Sequence, residues 1–442
     1  MLVTVAVLVA VTAAGMALLW PRPGDLPDFG PSPEPYVDGR VDAVEPYTTD
    51  ADPAYGVSGE AAVFMVTLTS GPDRGSTVSI DTLTDGLPLI EPGDDVKLVV
   101  SQVEGQPTQY FIADFERTGA LWALGILFIA VVLAVGRWHG LRSLVGLGLS
   151  LLVITRFVVP AILAGRPPGL VALVGATGVM ILTLYLTHGI DQMTTAAVVG
   201  TSLALAVTIG FGLYFIDRAA LTGFSSEEAS LARFAVEGLD LRGLVLAGLI
   251  IGALGVLDDV TVSQASTVFT LHDTDPRLGV RGLFARAMKV GRDHIASTVN
   301  TLFLAYAGAS LALLVLFSTG GLAVGEIVNS EIMAQEIVKT LVGSLGLISA
   351  VPATTLLAAT LAVRRSPAAV AASRARYGDD DHGHAPHGHA PRGAPPPDPG
   401  ADPVRAPGEP PALPEDLDDD ERARHLWARW LEDRDRGEGP PS

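Results

Sequence analysis

The sequence predicts an α-helical polytopic membrane protein of about eight transmembrane helices, with a small extracytoplasmic β-barrel-like (OB-like) domain. Hydrophobic residues make up 49% of the 442-residue chain, and apolar runs of about 18 residues or more recur along it, as membrane-spanning helices require. The acids behind the net charge of −19 are concentrated in residues 21–117 and 366–442. This uneven distribution predicts two polar appendages on a membrane core that is nearly balanced in charge.

The N-terminal residues 1–20 predict an anchor helix. The apolar run over residues 2–20 is longer than the core of a signal peptide, which spans about 7–15 residues. The following junction, LLWPRPG, lacks the small residues of a cleavage site.

Residues 21–117 predict a β-rich domain. Five segments of partly alternating, strand-forming residues are separated by Gly, Pro and Asp turns. They are YVDGRVDAV, AAVFMVTLT, STVSID, DDVKLVVSQV and TQYFIADFE. Five short strands suit a small barrel of the OB type. Many OB barrels bind oligonucleotides, but 18 acids against 5 bases argue against a nucleic-acid partner here.

Seven further apolar runs predict a transmembrane core over residues 118–365. They lie at 119–136, 143–164, 169–186, 194–216, 243–260, 295–317 and 340–363. Most of the flanking arginines and lysines fall at 137–142, 187–193, 261–294 and just after 363, and the positive-inside rule assigns these loops to the cytoplasm. The chain is therefore predicted to lie in the plasma membrane, with residues 21–117 outside the cell and both termini inside.

Two adjacent acids, Asp258 and Asp259, follow a run of only fifteen uncharged residues. A helix of that length rises about 22 Å, which is shorter than the roughly 30 Å of a bilayer core. Asp259 continues a helical stripe of small residues that comprises Gly248, Gly252 and Gly255, and the first two form a G-x-x-x-G pair. We expect Asp259 to face the bundle interior and Asp258 the cytoplasmic interface. The alternative is that both acids simply reach water at a helix end.

The next span carries a second polar pattern. Arg292 and Asp293 precede it, and Asn300 and Gly308 lie within it on roughly one side. Because polar groups in lipid need partners, the two stripes predict that these helices pack directly against each other. Arg292 would then lie at the level of the paired acids and form an ion pair with them.

A third charge, Arg156, lies inside the apolar stretch LLVITRFVVPAIL. A lone arginine in a membrane helix is costly and must find an anion. Glu336, just before the last span, is the first candidate by the predicted topology. Pro352 interrupts that last span, and broken helices near polar groups are typical of substrate pathways.

The segment 366–442 predicts a disordered, acidic cytoplasmic tail rich in Pro and His. Its stretch DDDHGHAPHGH places four histidines beside three aspartates, a composition that binds Zn²⁺ or Ni²⁺ weakly. These histidines are His382, His384, His387 and His389. Near the end, ERARHLWARWLED has the apolar spacing of a short amphipathic helix that would dock on a protein partner or the membrane.

Four segments resemble the YibE/F-like family of bacterial integral membrane proteins. They are GALGVLDDV, GRD followed by NTLFLAYAG, EIVKTLVGSLGLISAVPATTLLAA, and TTAAVVGT at 194–201. The resemblance covers about residues 120–365 and implies a multi-span plasma-membrane protein, and an outer β-module fits it. It implies no substrate and no activity, and it does not extend to the tail.

Two functions remain open from the sequence. The first is a permease or secondary transporter for a small solute or ion, with Asp258 and Asp259 as proton or cation carriers. The second is a membrane scaffold whose outer domain and tail bind partners. An enzyme is not expected, and neither is a cofactor, because the chain lacks cysteine, a G-x-x-x-x-G-K-[ST] loop, and the H-E-x-x-H and G-x-S-x-G motifs.

Overall fold

The computed structural model describes residues 2–22, 24–27, 36–49, 59–84, 89–102, 107–225, 227–321, 323–366 and 370. The four tail histidines and the predicted amphipathic helix lie outside these residues. The described chain is mostly helical, with a strand domain between the first helix and the others. The helices are α1 Leu2–Leu19, α2 Thr118–Val153, α3 Val159–Leu163, α4 Pro168–His188, α5 Gln192–Arg218, α6 Glu227–Ala235, α7 Leu241–Thr274, α8 Val280–Ala309, α9 Leu311–Thr319, α10 Val324–Asn329 and α11 Glu331–Ala362.

The strand domain is an antiparallel half-barrel. Its strands are β1 Tyr36–Thr49, β2 Gly59–Leu68, β3 Thr77–Leu83, β4 Asp95–Ser101 and β5 Gln109–Phe115, in the spatial order β3-β2-β1-β4-β5. The long β1 pairs with β4 through its first residues and with β2 through its remainder, with a bulge between Val41 and Ala43. Alternate side chains fill the core, among them the fully buried Val66 and Leu98. The predicted β-rich domain is therefore present, while closure into an OB-type barrel stays a prediction.

One lysine joins this domain to the start of α2. The Lys97 ammonium donates to Asp38 at 2.7 Å and also pairs with Glu116. Glu116 accepts a further hydrogen bond from the Thr118 backbone N–H at 2.8 Å. The hydrogen bond from Lys97, followed by those from Thr118, lowers the pKa of Glu116 to about 2. The Glu116 carboxylate is therefore a fixed anion near neutral pH.

Five helices in the described residues are long and apolar enough to cross a membrane, or six if the bent pair α8–α9 forms one span. The predicted count of eight treated α1 as a span and divided 118–163 in two. That stretch is one long helix, which continues through a π-helical turn at Ile154–Val158. It is interrupted at Arg137, where the backbone is left-handed (φ 47°). A Cβ on Gly140 would collide with the Val132 carbonyl, so the chain bends sharply there. The count of eight stays a prediction.

The helices α5 and α11 pack through two reciprocal glycine–threonine contacts. Gly200 of α5 lies against Thr354 of α11, and Thr208 of α5 lies against Gly346 of α11. Both threonines are fully buried. A Cβ on either glycine would collide with the facing threonine hydroxyl, so only glycine permits this approach.

Gly200→Ala should lower the stability of the folded protein. The added methyl group would meet Thr354, a buried side chain that cannot move away, and overpacking of this kind costs about 1–3 kcal/mol. Gly210→Ala on the same helix is the control because open space surrounds that position. Thermal unfolding in one detergent should give a lower midpoint for the first variant only, and equal midpoints would contradict the proposed packing.

Lys97→Gln should increase hydrogen exchange in the strand domain at pH 7, and this difference from wild type should disappear in acid. The folded-state pKa of Glu116 lies below the ordinary value of 4.5, so its pairing stabilises the fold above pH 4.5 and this contribution disappears as the pH falls toward 2. Hydrogen exchange of the β1, β4 and β5 peptides, compared with wild type at each pH, measures the difference. Arg74→Gln, at an exposed turn position, should match wild type throughout.

Candidate functional site

A layer of buried hydroxyl groups lies between α5, α7 and α11. The hydroxyls of Thr201 on α5 and Thr261 on α7 are 2.6 Å apart, and both side chains are fully buried. Thr354 and Thr355 on α11 are also fully buried. Polar side chains between membrane helices are expensive unless they bond across the interface, so this layer is the first place to look for function.

Asp258 belongs to this layer. The Thr261 hydroxyl donates to the Asp258 backbone carbonyl at 3.2 Å, and the Thr201 side chain interacts with the Asp258 carboxyl group. The Oδ1 atom of that carboxyl group is nevertheless buried without a hydrogen-bond partner in the described part of the chain. A carboxylate oxygen in this position needs a donor or a cation, because burial without compensation costs several kcal/mol.

Gln264 ties three helices together beside the acid. Its amide nitrogen donates to the Ala287 carbonyl of α8 at 3.0 Å and to the Thr355 hydroxyl of α11 at 2.7 Å. The Thr355 hydroxyl in turn donates to the Val351 carbonyl at 2.6 Å. Gly291 of α8 leaves room for the Gln264 side chain, since a Cβ there would approach it to 3.0 Å. The polar layer is therefore held by specific contacts.

The predicted orientation of the two acids is wrong. Asp258 is half-buried with Oδ1 enclosed, whereas Asp259 is exposed. Asp258 follows the buried Ile250 and Leu254 at steps of four residues, and this large apolar stripe forms the inner face of α7. Because adjacent residues of a helix point about 100° apart, Asp259 is turned away from the core.

The glycine stripe is on the outer face of α7 for the same reason. Gly248, Gly252 and Gly255 are exposed, and only Gly252 has a close neighbour in the described residues, the Tyr306 hydroxyl at 3.4 Å from its Cβ position. The prediction that α7 and α8 pack directly is confirmed by the Gln264–Ala287 hydrogen bond and by this tyrosine. The side of α8 that the sequence predicted as polar does not take part in the contact with α7.

Four predicted residues of α8 lie on its exposed side. They are Arg292, Asp293, Asn300 and Gly308. The predicted ion pair of Arg292 with Asp258 or Asp259 is absent because the neighbouring Gly291 faces the core and turns Arg292 outward.

The predicted pair of Arg156 with Glu336 is also absent. Arg156 is exposed in the π-helical turn, while the following Phe157 is fully buried and stacks on Trp20 at 5.6 Å between ring centroids. Glu336 instead accepts from Lys339 on its own helix at 2.8 Å. The Arg156 side chain therefore points away from the other helices.

Polar contacts hold α11 at both ends. Near its start, Glu331 accepts from the backbone N–H groups of Thr222 and Gly223, both at 2.7 Å. Beyond its end, Arg365 donates to both oxygens of Asp273 at 2.8 and 3.1 Å, and this pair is largely buried. The middle of α11 carries the threonines of the polar layer between these two anchors.

Sequence reasoning missed the other residues of the polar layer. Thr201, Thr261, Gln264, Thr354 and Thr355 were not singled out, although TTAAVVGT and AVPATT contain three of them. Threonine hydroxyls bond readily to their own helix, so their presence alone does not show that they meet across an interface.

The comparisons with known proteins identify the family and nothing further. No curated protein and no solved structure matched the chain. The family model for YibE/F-like protein matches residues 124–364, which is more than half of the chain and contains α4 to α11, including Asp258 and every residue of the polar layer. The resemblance of the quoted segments is thereby confirmed, and the chain belongs to the YibE/F-like protein family.

Proposed function

We propose that the chain is a permease or secondary transporter for a small solute or ion, in which Asp258 binds a proton or a monovalent cation. The supporting observation is the Oδ1 atom of Asp258, which is buried between membrane helices without a donor. Ionisable groups in such positions mark ion or substrate pathways by default. A proton or cation on this carboxylate supplies the missing partner.

The surrounding groups suit that role. The Thr201 hydroxyl interacts with the carboxyl group and lies 2.6 Å from the Thr261 hydroxyl, and oxygen is the ligand that hard cations prefer. A site between α5, α7 and α11 that binds and releases an ion requires these helices to move, as in transporters that alternate between two open sides. The polar contacts of Glu331 and of the Asp273–Arg365 pair hold the two ends of α11, where such movement would begin.

The proposal includes the orientation in the plasma membrane. Residues 21–117 are extracytoplasmic and both termini are cytoplasmic, because the positively charged loops favour the inner side. The partners are then the lipid bilayer, an unknown small solute or ion, and a protein that docks on the C-terminal amphipathic helix, and no nucleic acid is involved. The protein is proposed to act without a cofactor and not as an enzyme.

The orientation can be tested directly because the chain contains no cysteine. Single Arg74→Cys and Arg277→Cys variants place one thiol in an exposed turn of the strand domain and one in the loop between α7 and α8. A membrane-impermeant maleimide should label the first in intact cells and the second only after permeabilisation. The reverse pattern would invert the topology.

Asp258→Asn should abolish ion-coupled transport while the protein still folds. The amide cannot take up a proton or neutralise a cation, although it has the shape of the carboxyl group. Vesicles that contain the purified protein and a trapped pH-sensitive dye, challenged with a mixture of metabolites, should show at least a tenfold slower proton movement with this variant.

Asp259→Asn is the matched control, since the neighbouring acid is exposed. It should keep the wild-type rate. Loss of activity in Asp259→Asn alone would show that the wrong acid has been chosen. Wild-type rates in both variants would remove the carrier role of Asp258, whereas no transport by the wild-type protein would favour the alternative of a membrane scaffold.

A further inference from the structure

A cavity of about 400 Å³ lies at one end of the helices, away from the polar layer. It is open on one side and is lined by the Gly223–Ser225 loop, by α6, by the first turns of α7 and by the start of α11. Its volume is in the range of small-molecule sites, which are mostly apolar with a few polar groups placed to orient the ligand.

Two of the polar groups that line the cavity, Gln335 and Lys339, carry hydrogen-bond donors. Gln335 and Lys339 are one turn apart on α11, and both are half-buried. Ser225 donates to the Gln335 side-chain oxygen at 2.6 Å, so the amide NH₂ of Gln335 points elsewhere and has no acceptor in the described residues. Lys339 donates to Glu336 at 2.8 Å, and an ammonium group has two further N–H bonds. These unused donors favour an acceptor with negative charge.

The remaining wall is apolar. Ala232 of α6 faces Leu241, Leu244 and Val245 of α7 across the cavity. Gly248 closes this wall and leaves open space beyond its Cα atom. The carboxylate of Glu228, also in the lining, belongs to an exposed residue, so solvent weakens its repulsion of an anion. The cavity thus combines a donor-rich end, where the charge of Lys339 is shared with Glu336, with an apolar body.

We propose that this cavity binds a small amphipathic anion, with a carboxylate or similar group on Lys339 and Gln335 and a short apolar chain against α6 and α7. The inference rests on the proposed transport function and names the class of its solute. Gly248 precedes Asp258 by ten residues, or about 15 Å along α7. An anion bound in this cavity and a proton bound at Asp258 would together carry no net charge, and α7 contributes to both sites.

The test is calorimetric binding of hexanoate to the purified full-length protein in a neutral detergent. Hexanoate should bind, whereas hexanol and hexylamine should bind at least tenfold more weakly, because they lack the anionic group. Lys339→Gln should weaken hexanoate binding by about tenfold or more, since it removes a charged donor. Lys289→Gln, at an exposed position of α8, is the matched control and should bind as wild type does.

A second variant leaves the Lys339–Glu336 pair intact. Gly248→Leu adds a side chain at a position whose Cβ would meet no neighbouring atom, and it should weaken hexanoate binding by narrowing the cavity. Gly255→Leu adds the same side chain seven residues along α7, outside the cavity, and should leave binding unchanged. Binding that is equal in Gly248→Leu and wild type, or that does not depend on Lys339, would overturn the proposal.

A lipid headgroup could supply the same anionic chemistry as a free solute. Nanodiscs of neutral lipid and of anionic lipid separate the two sources, because an anionic lipid in the cavity should weaken hexanoate binding in a Lys339-dependent way. The readout is independent of ion coupling. If the protein binds hexanoate but transports no ion, the anion site stands and the carrier role of Asp258 fails. If the protein transports an ion but does not bind hexanoate, only the anion site is rejected.

Discussion

The close contact between α5 and α11 fixes the position of everything around the polar layer. Gly200 and Thr208 are eight residues apart on α5, and Gly346 and Thr354 are eight residues apart on α11. Each glycine accepts the threonine of the opposite helix, so the two contacts form together in one antiparallel register. Thr354 then faces α5, and Thr355, about 100° around the helix, reaches Gln264 of α7. A shift of one turn would break both relations at once.

The buried threonines and the buried acid differ in what they require, although the Thr354 hydroxyl, like Oδ1 of Asp258, has no hydrogen-bond partner in the described residues. Threonine hydroxyls can donate to carbonyls of their own helix, as Thr208 does to Ala204 and Thr355 to Val351, so their burial between helices is inexpensive. An ionised carboxylate has no donor of its own and depends on neighbours. Asp258 has the Thr201 hydroxyl beside it but no partner for Oδ1. This enclosed oxygen atom, beside Thr201 of α5, is the basis of the proposed ion site.

The sequence predicted apolar helices and a strand domain correctly, but it did not predict which face of each helix is buried. Apolar runs and alternating strands predicted the helices and the half-barrel, because hydrophobic burial repeats with the period of each element. The small-residue stripe of α7 was misleading, since a glycine pair permits a close contact but does not require one. Steric pressure falls on other glycines, among them Gly200, Gly291 and Gly346. Arg156 was misjudged because a π-helical turn shifts the helical phase, and no spacing rule anticipates it.

The two proposed sites are coupled through the same pair of helices. The cavity donors Gln335 and Lys339 lie near the start of α11, and Thr354 and Thr355 lie in its second half beside the layer of Asp258. The middle of α11 is held to α5 by steric interlocking, which is lost only if the helices separate. Its first anchor, at Glu331, is a set of partly exposed hydrogen bonds that water can replace at small cost. Movement of α11 should therefore begin at the end that carries the cavity, and access to the ion site requires the Gly200–Thr354 contact to loosen as well.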